Sequence, residues 1–393
     1  MNPVGGFRLG TVRAGIRYPD RRDLVVMELA PGGTAAAVFT RNRFRAAPVV
    51  VAERHLALQT PRYLLVNTGY ANAGTGPRGE TDAEACCRAL AGAAGCAVEE
   101  VLPFSTGVIG EPLPVERIRA ALPAAVAALS EDGWHAAAEG IQTTDTRIKL
   151  AGRRFDPGGG GACVVTGMAK GAGMIRPDMA TMLAFVATDA RVSAEVLDRI
   201  LRTAVDRSFN RVTVDGDTST NDACLLAATG AGPQVADAAA VERLQEAVDA
   251  VCVDLARAIA ADGEGATRLV DVVVTGARET AEAERTAFTV AESPLVKTAL
   301  AAADPNWGRI LAAVGRAGID DLDVAGVTIA LDDLVIAEGG ARADGYDEAA
   351  AARRLDRDEV VIRIDLGRGS AEATVWTCDL TAEYVRINAE YRT

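Results

Sequence analysis

The stretch GMAKGAGMIRPDMATMLAFVATDA, residues 167–190, decides the fold and poses the chemical question. It opens as a glycine-rich segment with one lysine, Lys170, and it ends as an apolar run that begins with a hydroxyl, that of Thr181. A threonine hydroxyl is a poor nucleophile at neutral pH unless a base activates it. The stretch therefore predicts a loop followed by a strand, and it raises the question of which base would serve Thr181.

The bases available to Thr181 are limited because histidine is scarce. Only two histidines are present, His55 and His135, and both lie in alanine-rich segments typical of helices, so we interpret them as ordinary surface or core residues. Cleavage of the peptide bond between Ala180 and Thr181 would instead free an α-amino group with a pKa of about 8 beside the hydroxyl. Nucleophile and base would then belong to one residue. The alternative at this point is an ordinary strand residue after a loop.

The composition of the chain limits the kinds of molecule that it is expected to bind. The 393 residues are 49% hydrophobic, and no apolar run approaches the roughly 18 residues of a membrane helix. A net charge of −13 disfavours nucleic acid, whose phosphates an acidic surface repels, and favours a small-molecule substrate. The seven cysteines form no CxxC pair, which indicates reduced thiols rather than disulfides or a zinc site. We therefore expect a cytoplasmic protein without a membrane or nucleic-acid partner.

Hydrophobic periodicity predicts an α/β fold with a substantial antiparallel component. Residues 360–366 alternate apolar and polar side chains, as in a half-buried strand, and residues 371–379 continue the pattern. The clearest helical pattern covers residues 238–261, where the apolar side chains share one face. Short apolar runs predict further strands at 62–67, 162–169, 181–190 and 211–214.

A second stretch, FSTGVIGE at residues 104–111, offers groups that suit acyl transfer. Thr106 and Gly107 provide a hydroxyl and an unobstructed backbone N–H that can bind an oxyanion, and one such donor lowers a barrier by roughly 3 kcal/mol. The few lysines are candidates for a special role, because their compact, titratable ammonium differs from the guanidinium of arginine, which is the common basic residue of this chain. Among 41 basic residues the lysines are Lys149, Lys170 and Lys297.

The stretch VTVDGDTSTND, residues 212–222, offers a competing chemistry. An apolar run followed by Asp215 and Asp217 is similar to the nucleophile loop of haloacid-dehalogenase-type phosphohydrolases, in which the first aspartate attacks phosphorus. The structural alternative is a network of Asx and Ser/Thr turns that holds a tight loop. The residues of this stretch are compatible with both a catalytic loop and a structural loop.

Together, ten motifs in fixed order resemble the ornithine acetyltransferase family over nearly the whole chain. They are AAAVFTRNRFRAAPV, LLVNTGYANAGTG, FSTGVIGE, TTDT, MAKGAGMIRPDMATMLAFVATDA, DGDTSTND, DGEGATR, SPLVKTA, DPNWGR and CDLTAEYVRINAEYRT. The second motif departs from the family, which commonly reads closer to NSGNANACTG, at Tyr70 and Gly74. The resemblance implies that DGDTSTND is structural and makes a phosphohydrolase a remote alternative.

The resemblance implies a self-cleaving enzyme of the N-terminal-nucleophile type. Its fold would be an αββα-like sandwich of mixed, largely antiparallel sheets, with a smaller C-terminal α/β portion at about 280–393. Cleavage between Ala180 and Thr181 would give an α chain, 1–180, and a β chain, 181–393. The two chains would stay associated, as an α2β2 heterotetramer.

The same resemblance implies a reaction and its residues. Thr181 would carry an acetyl group from N2-acetylornithine to glutamate by ping-pong kinetics, with no metal and no bound organic cofactor. Thr106 and Gly107 would form the oxyanion site. The sequence leaves open whether acetyl-CoA is also a donor. The implied substrate contacts are Thr143, Lys170, Thr181, Glu264, Asn388 and Thr393, with Thr144 as the alternative to Thr143 in TTDT.

Two other classes of protein remain as alternatives. A self-cleaving amidohydrolase or aminopeptidase would differ only in that water, rather than an amine, resolves the acyl-enzyme. A non-catalytic scaffold would be indifferent to the loss of the Thr181 hydroxyl.

Overall fold

The structure is a computed structural model, and it describes residues 2–158, 161–176 and 182–390. Three residues that the sequence predicts for the site lie outside these ranges: Ala180, Thr181 and Thr393. The chain divides into two compact units. Among the described residues, the first unit holds those up to Asn210 together with Asp217–Leu255, and the second holds Arg211–Gly216 and the residues from Ala256 onward.

The first unit is built from two sheets and the helices that cover them. Its described strands are β1 (Phe7–Val12), β2 (Leu24–Leu29), β3 (Thr34–Phe39), β4 (Tyr63–Tyr70), β5 (Val101–Val108), β6 (Lys149–Phe155), β7 (Cys163–Lys170), β8 (Leu183–Thr188) and β9 (Ala223–Ala228). Its helices are α1 (Ala47–Leu58), α2 (Gly76–Ala94), α3 (Val115–Ala127), α4 (Trp134–Gly140), α5 (Ala194–Arg207) and α6 (Ala238–Ala261). The boundary between the units falls inside α6.

The two sheets of the first unit pack face to face. One has the order β1-β2-β4-β5 and the other β3-β9-β8-β7-β6, and only the pairs β4/β5 and β8/β9 among these strands are parallel. Apolar side chains of both sheets form one core, in which the rings of Phe104 and Phe185 meet edge to face at 5.1 Å. Edge-to-face packing is a favoured geometry for aromatic pairs because the ring edge is positive and the face negative.

Helices cover the outer faces of both sheets. Residues of α2 and α3 share a second core with β2 and β4, for example Leu90 and Leu122. On the other sheet, an added Cβ at Gly167 of β7 would lie 3.0 Å from Val251 of α6, so glycine permits the close approach of this helix. The predicted αββα sandwich of mixed, largely antiparallel sheets is confirmed.

The second unit contains one six-stranded sheet with helices packed on it. Its strands are β10 (Leu269–Ala277), β11 (Thr328–Leu331), β12 (Leu334–Glu338), β13 (Ala341–Arg342), β14 (Glu359–Asp365) and β15 (Ala371–Cys378). Its further helices are α7 (Thr280–Ala291), α8 (Pro294–Ala301), α9 (Trp307–Gly315), α10 (Glu348–Leu355) and α11 (Ala382–Glu390). The sheet order is β13-β12-β11-β14-β10-β15, and only β10/β14 is parallel among these pairs.

Most of the predicted elements are present with small boundary shifts. The strand predictions at 62–67, 162–169 and 181–190 correspond to β4, β7 and β8, and the predicted helix 238–261 is α6. The strand predicted at 211–214 is wrong, since Val212 makes a single bridge to Trp376 and no ladder follows. Val212 and Val214 are buried instead as apolar anchors of a loop, which explains the apolar pattern without a strand.

The described helices include none that is both long enough and apolar enough to pass through a lipid bilayer.

Candidate active site

The candidate site in the first unit lies at the start of β8. β8 begins at Leu183, two residues after the predicted nucleophile Thr181. Leu183 pairs with Lys170 at the end of β7 on one side and with Ala223 at the start of β9 on the other. The backbone N–H of Ala223 donates to the carbonyl oxygen of Met182 over 2.9 Å. A lysine and the beginning of β9 therefore flank the strand that follows Thr181 in the chain.

The predicted oxyanion residues lie at a β-bulge between β4 and β5. Tyr70 pairs with both Thr106 and Val108, so the register shifts at this point. Gly107 has φ +129°, and an added Cβ would lie 2.3 Å from the carbonyl carbon of Gly69. Only glycine fits both the backbone angle and the space. Bulges of this kind re-aim neighbouring groups and occur often beside active sites.

The loop before β9 holds the end of β5 in place. The amide Nδ2 of Asn221 donates to the carbonyl oxygens of Ser105, at 2.9 Å, and Ala71, at 2.7 Å. The Ser105 hydroxyl donates to Asn67 Oδ1 over 2.5 Å. Thr106, which follows Ser105, is only 6% exposed, yet its hydroxyl makes no hydrogen bond with the residues that the structure describes. Asn221 thus has the structural role that the resemblance implies for its loop.

A buried carboxylate joins the Thr143 segment to the end of β7. Asp145 Oδ2 accepts from the Thr143 N–H at 3.0 Å, and Oδ1 accepts from the Gly171 N–H at 2.7 Å and from Lys149 Nζ at 2.6 Å. Burial acts to raise the pKa of Asp145, but the charges of Lys149 and Lys170 outweigh it, so the pKa lies below its usual range. Asp145 is an ionised anchor that fixes the backbone of Gly171, next to Lys170, and that of Thr143.

A second buried carboxyl group, Asp222, lies at the start of β9. Its side chain is buried, and Oδ2 has no hydrogen-bond partner among the described residues. Burial raises the pKa of Asp222 well above its usual value, although a hydrogen bond from Ser219 and the charge of Lys170 act in the opposite direction. The raised pKa favours the neutral form of this carboxyl group, which lies one residue before the Ala223 that pairs with β8.

Two predicted substrate contacts meet in the second unit. Asn388 of α11 donates from Nδ2 to Oε2 of Glu264, a buried residue in the loop between α6 and β10, over 2.8 Å. Gly265 has φ +71°, and an added Cβ would lie 2.5 Å from the backbone nitrogen of Tyr384. The Thr381 hydroxyl donates to the Gly265 carbonyl oxygen over 2.7 Å. The glycine thus permits α11 to dock on the loop that carries Glu264.

The phosphohydrolase alternative loses its structural basis. It requires a strand that delivers the nucleophile, and residues 211–214 form none. Asp215 belongs to the second unit, where its Oδ2 accepts a hydrogen bond from the Tyr384 hydroxyl at 3.3 Å, while Asp217 belongs to the first unit. Asp215 therefore supports the docking of α11.

The histidines are ordinary, as predicted. His55 is buried in α1 with Nδ1 2.8 Å from the carbonyl oxygen of Val101. His135 is exposed on α4, with Nδ1 3.5 Å from a carboxylate oxygen of Glu139.

The two departures from the family pattern have local contacts. The guanidinium carbon of Arg17 lies 5.4 Å from the centre of the Tyr70 ring, a distance typical of a cation–π contact. Gly74 has φ +68°, and an added Cβ would lie 3.1 Å from the ring of Phe44.

The structure thus brings the Thr143 segment and Lys170 together in the first unit, and Glu264 and Asn388 together in the second. Sequence reasoning did not single out Asp145 or Asp222, two buried carboxyl groups whose pKa values the charge of Lys170 acts to lower. Asp145 lies in the motif TTDT and Asp222 in the motif DGDTSTND. Their positions inside these motifs are the sequence feature by which they could have been identified.

The chain is similar to known proteins over nearly its whole length. A family model described as the ArgJ family matches residues 8–393. The chain is 57% identical over 394 residues to the arginine biosynthesis bifunctional protein ArgJ of Methylococcus capsulatus, covering all of this chain and 96% of the relative. It is 54% identical over 397 residues to the protein of that name from Pseudomonas fluorescens, again over all of this chain and 98% of the relative. The crystal structure of ArgJ from Bacillus halodurans matches with a TM-score of 0.50 and 40% identity, over 53% of this chain and 98% of that one. A family match of this extent, with relatives of this identity, means that the chain belongs to the ArgJ family.

Proposed function

We propose that this chain is a glutamate N-acetyltransferase that moves an acetyl group from N2-acetylornithine to glutamate. The observation that carries the proposal is the pairing of Leu183 with Lys170, because it sets a cation beside the strand that follows Thr181 in the chain. The names of the relatives, arginine biosynthesis bifunctional proteins, support an amino-acid substrate. The product would be N-acetylglutamate.

The first step is self-cleavage between Ala180 and Thr181. The Thr181 hydroxyl oxygen attacks the Ala180 carbonyl carbon, and the C–N bond between the two residues breaks as the hydroxyl proton passes to the nitrogen. Water then hydrolyses the resulting ester and leaves chains 1–180 and 181–393. The new α-amino group of Thr181 is the general base. A nearby cation lowers the pKa of an amine, so Lys170 keeps more of this group in the free-base form at neutral pH.

Acetyl transfer then takes place in two half-reactions. The amine of Thr181 takes the proton from its own hydroxyl, and the oxygen attacks the acetyl carbonyl carbon of N2-acetylornithine. The amide C–N bond breaks, the proton passes to the leaving amine, and ornithine departs from an acetyl ester on Thr181. The amine of glutamate attacks this ester, the bond between Thr181 oxygen and the acetyl carbon breaks, and the hydroxyl regains its proton.

The oxyanion of both tetrahedral intermediates binds to Thr106 and Gly107. The Thr106 hydroxyl has no hydrogen-bond partner among the described residues, which supports this role, because such a donor is available to an oxyanion. The bulge at Gly107 supports it as well, because glycine leaves the backbone unobstructed.

The remaining predicted contacts hold the amino-acid part of the substrate. Glu264 binds the side-chain ammonium of ornithine, and the hydrogen bond from Asn388 fixes the orientation of its carboxylate. Asn388 and Thr393 contact the α-amino and α-carboxylate groups, and Thr143, whose N–H donates to Asp145, is a further substrate contact. We assign the two chains to a cytoplasmic α2β2 heterotetramer, which a native mass measurement checks.

Intact-mass spectrometry tests the proposal directly. The purified protein should give two chains of 180 and 213 residues, and the longer chain should gain about 42 Da, one acetyl group, on incubation with N2-acetylornithine alone. Addition of glutamate should remove the increment and produce N-acetylglutamate. Discharge by water at the same rate, without an acetylated amine, would identify an amidohydrolase instead.

Two variants of Thr181 test whether its hydroxyl is required for cleavage of the chain. Thr181→Ala lacks the hydroxyl and should remain one chain of 393 residues without an acetyl adduct. Thr181→Ser retains a hydroxyl and should still be cleaved. Full cleavage of the alanine variant would show that Thr181 is not the nucleophile.

A further inference from the structure

A buried aspartate, Asp379, holds the loop that carries Glu264 in the second unit. It directly follows β15, and its side chain is 0% exposed. Its Oδ1 accepts hydrogen bonds from the N–H groups of Thr267, at 2.8 Å, and Arg268, at 3.1 Å. Its Oδ2 accepts from the Thr267 hydroxyl at 2.5 Å. Three donors from two consecutive residues thus converge on one carboxylate at the end of the Glu264 loop.

The loop is short between this anchor and Glu264. Only two residues separate Glu264 from Thr267. The Ala266 N–H donates to the carbonyl oxygen of Gly263 over 2.8 Å, which closes a β-turn around Glu264. An added Cβ at Gly263 would lie 2.8 Å from Sγ of Cys378, so the turn packs directly on the end of β15. A displacement of Thr267 therefore moves the backbone of Glu264.

Asp379 is itself fixed by a buried lysine of α8. Lys297 is 3% exposed, and its Nζ donates to the Thr377 hydroxyl over 2.9 Å and to the carbonyl oxygen of Cys378. The carbonyl oxygen of Lys297 accepts from the Leu380 N–H at 3.1 Å. The residues on both sides of Asp379 are thus bound to one residue of α8. This lysine belongs to the motif SPLVKTA, to which the proposed reaction gives no other role.

The position of Glu264 matters for its proposed role. The residue is 8% exposed, and a buried carboxylate attracts an ammonium group strongly because little water screens the two charges. A misplacement of about 1 Å in a binding site can cost a factor of about 100 in rate. α11 fixes the carboxylate itself through Asn388. The backbone that carries the side chain needs a separate anchor, which Asp379 supplies.

We propose that Asp379 is a positioning residue that gives this protein its preference for a donor with a side-chain ammonium group. In this role Asp379 acts on the substrate through Thr267 and Glu264 rather than by contact. The inference rests on the proposed function, in which Glu264 binds the ammonium group of ornithine. Loss of the anchor therefore weakens recognition of the ammonium group more than it weakens the transfer of the acetyl group.

Two donors that differ by one group test the role of Asp379. N2-acetylnorvaline has the carbon chain of N2-acetylornithine without the side-chain amine. With glutamate as acceptor, the ratio of kcat/KM for the two donors measures the preference for the ammonium group. Asp379→Ala should lower this ratio at least about ten-fold, because the N–H groups of Thr267 and Arg268 lose their acceptor. Asp379→Asn keeps an oxygen that can accept both bonds and should retain most of the preference.

A double-variant cycle separates positioning from a general loss of stability. Glu264→Gln removes the charge that binds the ammonium group, so the further change Asp379→Ala should then alter the ratio less than about two-fold. Thr267→Val removes only the hydroxyl that donates to Asp379, and it should lower the ratio about three-fold even if Asp379→Ala does not fold. Glu282→Gln is the matched control, because it removes a buried carboxylate of α7 that pairs with Arg368 and should leave the ratio unchanged.

The outcomes for Asp379 and for the proposed function are distinct. An unchanged ratio in Asp379→Ala and Thr267→Val, an equal loss in Glu282→Gln, or the same loss with and without the Glu264 carboxylate would overturn the role of Asp379. A parent protein that forms no N-acetylglutamate from either donor would overturn the proposed function instead. Calorimetric titration of the parent with ornithine and norvaline measures the same preference without the chemical step. Asp379→Ala should reduce that difference in affinity as well, and an unchanged difference would refute the positioning role even in a protein without transfer activity.

Discussion

Substitution of Asp145 by asparagine should destabilise the first unit more than any exposed ion pair would. The Asp145 and Lys149 side chains are 0% and 1% exposed, and their charged groups are 2.6 Å apart. Asparagine keeps the shape of the side chain but removes the carboxylate charge that faces the buried Lys149 ammonium. Removing one partner of a buried pair costs about 3–5 kcal/mol of stability. The Thr143 and Gly171 N–H groups would also lose a charged acceptor.

The pH dependence of this effect has a definite sign. The pKa of Asp145 is lowered in the folded protein, since the charges of Lys149 and Lys170 outweigh burial. A carboxyl group with a lowered folded pKa stabilises the protein above its unfolded pKa, and this contribution disappears as the pH falls through the folded value. The difference in stability between the parent and Asp145→Asn should therefore be full at neutral pH and shrink in acid.

Urea unfolding of the uncleaved Thr181→Ala protein provides the assay, because a single chain avoids dissociation of fragments. The double variant Asp145→Asn/Lys149→Met removes both charges of the buried pair and should be more stable than Asp145→Asn alone. Asp198→Asn breaks an exposed pair, with side chains 43% and 53% exposed, and should cost at most about 1 kcal/mol. An Asp145→Asn protein within about 1 kcal/mol of its parent, or a double variant less stable than the single, would refute the reasoning.

Thr106→Ala should lower kcat for acetyl transfer by roughly 100-fold or more, because it removes an oxyanion donor, while Thr106→Ser keeps the hydroxyl and should retain most activity. Steady-state kinetics with N2-acetylornithine and glutamate measure both, and an unchanged kcat in the alanine variant would exclude Thr106 from the oxyanion site. Asp222→Asn should be as stable as the parent or more stable at neutral pH, because a carboxyl group with a raised folded pKa contributes stability at low pH that is lost as the pH rises. Thermal unfolding against pH checks this, with Asp222→Ala as the variant that leaves a cavity; a large loss in Asp222→Asn would mean that the ionised form is required.

The elements that could be predicted from the sequence are those whose pattern is local. β8 is buried at every position and α6 has one apolar face, so both appear as uninterrupted or periodic apolar patterns. The apolar pattern at 211–214 is equally local, but there it anchors a loop, because Val212 and Val214 are buried without a strand partner beyond one bridge. Burial alone produces an apolar pattern in the sequence. A buried segment is a strand only where its backbone also pairs with other strands.

The candidate site depends on contacts between residues distant in the chain, and these leave no periodic signal. The hydrogen bonds from Asn221 to Ser105 and Ala71 join residues more than a hundred positions apart. The bulge at Gly107 follows from the register of β4 against β5, which a Thr-Gly pair by itself does not reveal. Motif recognition supplied Thr106 and Lys170, whereas the carboxyl groups that organise their surroundings emerged only from three-dimensional packing.

The geometry of the first unit explains why a sandwich of two sheets suits this chemistry. Thr106 belongs to one sheet, and the strand that follows Thr181 belongs to the other. Successive side chains of a strand point to opposite faces, so Thr106 shares the face of Phe104, whose ring packs on Phe185 of β8 in the shared core. Close packing makes such a core resist small displacements. The same apolar contact that holds the two sheets together therefore sets the separation between the proposed oxyanion donor and the strand that follows the proposed nucleophile in the chain.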